Sequence, residues 1–207
     1  FVGRLMGQEG IYYYFKHEDG KHTLVLSDSV DSHDPFGGYE EIPYAPARDI
    51  QDREGVMDWG SRMNVTSGKA TLQDYNLETP SADLETISEA PKAHEHADLA
   101  LYDYPGEYSV KGEGEHYVRV RMEEAQALHE VCKGKANSRG VATGSLFNLS
   151  EYFPREDQNR EYLVLRTDFR FSNTEPETET TGAEKFECRF DAVPSTTPFR
   201  PARVTRK

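Results

Sequence analysis

The chain has 207 residues, of which 36% are hydrophobic and 11% aromatic, and its formal net charge is −13. That length allows one large domain or two small ones with a real core, and the acidic excess excludes the electrostatic footprint of a nucleic-acid binder. No apolar run approaches the roughly 20 residues that span a bilayer, so no stable membrane insertion is expected. There is no secretory leader pattern, and a first residue, Phe1, set inside an apolar pattern suggests a piece of a longer protein.

In chain order, Phe1 to Glu9 predicts the end of a helix stopped by Gly10. Ile11 to Phe15 and His22 to Ser27 predict a β-hairpin across Asp19-Gly20, a pair that tolerates positive φ. Asp28 to Pro46, rich in Gly and Pro, is expected to be loop. Val56 to Asn64 and Ala70 to Asn76 suggest a second hairpin around Gly68; Ser81 to Asp98 is acidic and poorly patterned; Leu99 to Tyr104 predicts a short strand before Pro105-Gly106.

Glu113 to Gly134 predicts the one long helix. At 100° per residue, Val118, Met122, Ala125, Leu128 and Cys132 share a stripe, while Arg119, Glu123, Gln126, Glu130 and Lys133 face away. Gly134 sits where a left-handed cap would end it. Ser145 to Tyr152, Tyr162 to Ser172 and Lys185 to Ala192 predict strands, with Phe186, Cys188 and Phe190 on one face and Glu187, Arg189 and Asp191 on the other. Asn173 to Gly182 is expected to be a mobile surface loop, and Phe199 to Lys207 a linker. The fold class is α+β, mainly β.

Chemistry-bearing patterns are sparse. His94 and His96 would share a side of a strand and are the best metal candidates, against the plainer alternative of a solvated polar loop. His17, His22 and His33 surround the hairpin, where a shared site competes with unrelated surface histidines. No Gly-x-Ser-x-Gly is present, Gly112-x-Gly114 lacks the third glycine of a phosphate cradle, and the two cysteines, Cys132 and Cys188, suit buried thiols in a reducing compartment. No catalytic residue and no cofactor are assigned. Tyr12, Tyr14, Tyr102 and Tyr104 are candidates for a subunit interface, the alternative being intrachain core.

Several stretches then match one family in order. Phe1-Val2-Gly3-Arg4-Leu5-Met6, Glu9-Gly10-Ile11-Tyr12-Tyr13-Tyr14-Phe15, Leu24-Val25-Leu26-Ser27-Asp28, Leu101 to Tyr108 and Pro194 to Pro201 resemble VgrG, the spike protein of bacterial type VI secretion. The resemblance implies the C-terminal part of a homotrimeric hub related to the baseplate hub of contractile phage tails. Such a hub sits on an Hcp-like tube and leads into an OB-fold and needle. It implies assembly in the bacterial cytoplasm, then translocation into a target cell with effectors or adaptors, and no enzymatic turnover. A phage or prophage tail hub is the alternative.

Joined to the strand pattern, the resemblance implies a helix-plus-hairpin unit over 1–50. A split, small antiparallel barrel over 51–197 would follow, with strands near 54–78 and 145–193 and the helix inserted. Residues 198–207 would lead towards an OB-fold.

Overall fold

The computed structural model describes residues 1–46, 53–172 and 185–203. Helix α1 (Val2–Glu9) ends at Gly10, whose φ of 75° is left-handed and whose N–H bonds to the Met6 carbonyl. Strands β1 (Tyr12–Glu18) and β2 (Lys21–Ser27) form the expected antiparallel hairpin across Asp19-Gly20, with Glu18 opposite Lys21. Of its two turn residues only Gly20 takes a positive φ. The segment expected as loop holds a short strand, β3 (Glu41–Pro43), which pairs parallel to β9 (Leu146–Ser150).

The main sheet has six strands in the order β3-β9-β10-β11-β8-β4, with β4 spanning Val56–Met63, β8 Glu130–Ala136, β10 Glu161–Ser172 and β11 Lys185–Pro194. It is mostly antiparallel and curls into a half-barrel. Its two edges meet where Tyr44, just past β3, bridges Val56, and the Ala45 N–H bonds to the Val56 carbonyl at 2.8 Å. Inside the curl, Trp59 packs on Tyr162 at 4.7 Å and on Phe190 at 6.0 Å between ring centroids, over Ile42, Cys132 and Leu149. Each large side chain buried here contributes about 1.5–3 kcal/mol before entropy.

A second layer is inserted between β4 and β8. Strands β5 (Lys69–Leu72), β6 (Thr86–Glu89) and β7 (Ala100–Asp103) form a three-stranded sheet in the order β6-β5-β7. Helix α2 (Lys111–Gln126) covers it with Val118 and Met122. Tyr108 fills the gap: its hydroxyl donates to the Leu84 carbonyl, and a Cβ on Gly114 would stand 2.5 Å from its ring. Gly114 is therefore packing space for an aromatic ring, within the helix.

Four further expectations change. The long helix stops at Gln126, and Glu130–Ala136 is a central strand laddered on both sides, to β11 and to β4. Good helix formers there are overridden by two sets of interstrand hydrogen bonds and by burial of Val131, Cys132 and Ala136. Leu128, placed on the core stripe, is 49% exposed at the turn between them. Gly134 is no cap: it lies opposite both Trp59 and Phe190 in the sheet, and a Cβ there would stand 2.2 Å from the Phe190 ring.

The second change concerns pairing: β4 and β5 form no hairpin, because β4 joins the main sheet and β5 the inserted one. Third, β10, whose pattern predicts Leu163, Leu165 and Thr167 on one face and Val164, Arg166 and Asp168 on the other, does not alternate evenly. Tyr162, Leu163 and Val164 are all buried, and the register shifts between Val164 and Arg166, so Leu165 is the bulged residue. Fourth, the described part of the supposed linker is docked. Phe199 packs edge-on against Tyr12 at 5.1 Å, and Arg200 bonds to Glu123 at 2.7 Å and to the carbonyls of Gly10 (2.9 Å) and Asp28 (2.6 Å). The loop expected over Asn173 to Gly182 and the end of the expected linker, 204–207, lie outside the described residues.

Candidate functional site

The hairpin carries the most distinctive surface. Alternation along β1 and β2 sends Tyr12 and Tyr14 inward and Tyr13, Phe15, Leu24 and Leu26 outward. Tyr12 and Tyr14, offered as interface residues, are 8% and 6% exposed: they belong to this chain's own interior. They grip His33 between them, with ring centroids 5.7 Å and 4.4 Å away. His33 Nδ1 lies 2.8 Å from the Gly144 carbonyl, which can only accept, so Nδ1 carries the proton. Bare Nε2 then accepts from the Tyr12 hydroxyl at 2.8 Å. Burial lowers the His33 pKa below 6.5, and burial raises that of Tyr12 above 10.0.

Outward, Tyr13 and Leu26 are each 59% exposed, and Phe15 and Leu24 stand beside them as cross-strand partners. Next to this stripe an open groove of 680 Å³ runs between β1 and β10, with Phe15, Phe36 and Phe169 along it and the Lys16–Asp34 ion pair (2.6 Å) in it. The Lys16 ammonium holds the Asp34 carboxyl below its usual range. Tyr102 and Tyr104, the other two interface candidates, are exposed at and just beyond edge strand β7, and Tyr102 donates to Gln73 at 2.8 Å.

The histidines divide differently from their sequence grouping. His94 and His96 lie in a turn, with His96 at a φ of 65°, so the strand alternation that would align them is absent. His94 instead accepts from the Thr66 N–H at 3.4 Å and faces the His129 ring at 5.4 Å. Among the described residues no group of three or more His, Cys, Asp and Glu side chains converges as a metal site. His17 and His22 meet across the hairpin with Nδ1 atoms 2.7 Å apart, whereas His33 is buried separately.

Cys132 and Cys188 are free, buried thiols, and burial pushes each up to about 12, the wrong direction for a nucleophile. A second open groove, of 540 Å³, crosses the β8–β11–β10 surface with charges of both signs, among them Asp58, Lys133, Arg166 and Asp191. No described helix is long and apolar enough to cross a membrane.

The described fold is a curled half-barrel with a helix-on-sheet insertion and apolar strand faces turned outward. It recurs in an Escherichia coli component of the type VI secretion system, itself described as similar to the T4 bacteriophage tail proteins gp27 and gp5. That match has a TM-score of 0.58 at 14% identity, over 100% of this chain and 40% of that one. A 43 kDa prophage tail protein from Shewanella oneidensis shares the fold with a TM-score of 0.59 at 11% identity, over 95% of this chain and 54% of that one. The chain belongs to the phage tail baseplate hub (GPD) family, whose model matches residues 1–175. Among its relatives, the Pseudomonas aeruginosa type VI secretion system spike protein VgrG1a is 44% identical over 202 residues, 97% of this chain. The chain spans 31% of that relative's length.

Proposed function

We propose that this chain is a structural hub module of a trimeric type VI secretion spike, with no turnover of its own. In this reading it stands between an Hcp-like tube protein and an OB-fold with its needle, assembles in the bacterial cytoplasm, and is driven into a target cell with effectors or adaptors. The observation that carries it is the 44% identity to a named spike protein over nearly the whole chain. The surface agrees: its outward features are apolar strand faces suited to subunit contact, namely Tyr13, Phe15, Leu24 and Leu26 on the hairpin and Tyr102 by edge strand β7.

A hub in a contractile phage or prophage tail is the second reading, favoured by the prophage tail fold. The higher sequence identity lies with the secretion spikes. The test is a chimera: VgrG1a with this chain in place of its matching third, in a strain lacking its own spikes. Restored release of tube protein into the medium supports the secretion role. A chimera that accumulates folded but releases none removes it.

A further inference from the structure

We infer that His17 and His22, at the tip of the β1–β2 hairpin, form a two-histidine site for a divalent transition metal ion. The hairpin register sets the two residues directly opposite each other, so their Cβ atoms share one face at about 4.5–5.5 Å. Their Nδ1 atoms lie 2.7 Å apart, and the ring centroids 4.9 Å. At that distance one nitrogen donates and the other accepts, so two imidazole lone pairs aim at a single point holding one proton. A tetrahedral metal with bonds of about 2.0–2.1 Å needs those nitrogens only ~3.3 Å apart. A slight rotation of two exposed rings supplies that opening, and the ring that carried the proton on Nδ1 binds the ion as its other neutral tautomer, with that proton on Nε2.

The surroundings favour it. Phe15 stacks against His17 at 6.1 Å and limits the ring's freedom on that side. The neighbouring cations, Lys16 and Lys21, belong to the opposite face of the hairpin, and each is paired to a carboxylate, Asp34 at 2.6 Å and Glu18 at 3.8 Å. Imidazole pairs take Cu²⁺, Ni²⁺ and Zn²⁺ in the order Cu²⁺ above Ni²⁺ and Zn²⁺, and leave Mg²⁺ and Ca²⁺ in water. With two protein ligands, water completes the coordination. The ion would clamp the open end of a two-stranded hairpin, an element that is marginal by itself, and its binding would compete with protons.

The test uses the untagged chain, titrated with Ni²⁺ by calorimetry and with Cu²⁺ by NMR. The site predicts saturable one-to-one binding and paramagnetic broadening centred on residues 16–23. Affinity falls by at least ~10-fold in both His17→Asn and His22→Asn, each losing one ligand, and is unchanged in His94→Asn and His96→Asn. Mg²⁺ gives no heat. Because the tip is exposed, circular dichroism of the two hairpin variants should match the parent and separates lost ligation from lost fold. Absence of saturable binding overturns the inference, as does equal affinity in the hairpin variants or broadening centred on His94 and His129.

Discussion

Gly134 governs the core through what it lacks. Trp59 and Phe190 flank it on adjoining strands, and the Phe190 ring occupies the space a methyl group would need. Gly134→Ala should therefore cost roughly 1–3 kcal/mol by overpacking, measured by urea unfolding of the two chains side by side. Leu128→Ala, on an exposed turn, should change stability by under ~0.5 kcal/mol in the same assay. His33 makes stability depend on pH. Its folded pKa lies below the usual 6.5, so the unfolded chain binds the proton more readily. The stabilisation is whole above about pH 6.5 and is lost as pH falls from there towards the folded value. Lys16 opposes protonation and Asp34 favours it, both weaker influences than burial. His33→Asn, which keeps a donor for the Gly144 carbonyl, should flatten the decline in melting temperature between about pH 7.5 and about pH 5. An equally steep decline would assign it to other groups.

Among the elements, α1 buries none of its own residues and is held by polar contacts to α2: Arg121 to the Gly7 carbonyl at 2.8 Å and Tyr117 to Glu9 at 3.0 Å. Arg200 completes this joint from the far end of the chain, tying α2, the end of α1 and the end of the hairpin together. Arg200→Ala should destabilise by about 1.5–3 kcal/mol. Arg200→Lys should recover only part of that, because an ammonium cannot span three acceptors as a guanidinium fork does. How much of this was legible follows from where the forces act. The β1–β2 hairpin and β11 announce themselves through alternation and local turn chemistry. The stop at Gly10 is equally local. The β8 strand is hidden because Glu130 to Cys132 continue a plausible helix, and only β4 and β11, distant in sequence, make the extended form preferable. The inward turn of Tyr12 and Tyr14 was equally open: alternation separates them from Tyr13 but does not say which face meets His33. The pairing of His17 with His22 follows from the register, which the Asp19-Gly20 turn implies.

Among the described residues three buried clusters join, an aromatic one inside the curled sheet, a smaller one under α2 and a third of Leu146, Leu163 and Val193, with the hairpin and the Pro198–Arg203 segment packed across them. The apolar stripe of Tyr13, Phe15, Leu24 and Leu26 stays outside all three. Tyr13→Ser with Phe15→Ser should leave folding nearly intact, within ~1 kcal/mol, while weakening self-association if that stripe meets a neighbouring copy. The most direct measurement is the mass in solution, by light scattering, of VgrG1a carrying this chain in place of its matching segment. A threefold hub module predicts three copies per particle, reduced in the Tyr13 and Phe15 double variant. A folded chimera that stays a single copy where unaltered VgrG1a forms three would contradict the account.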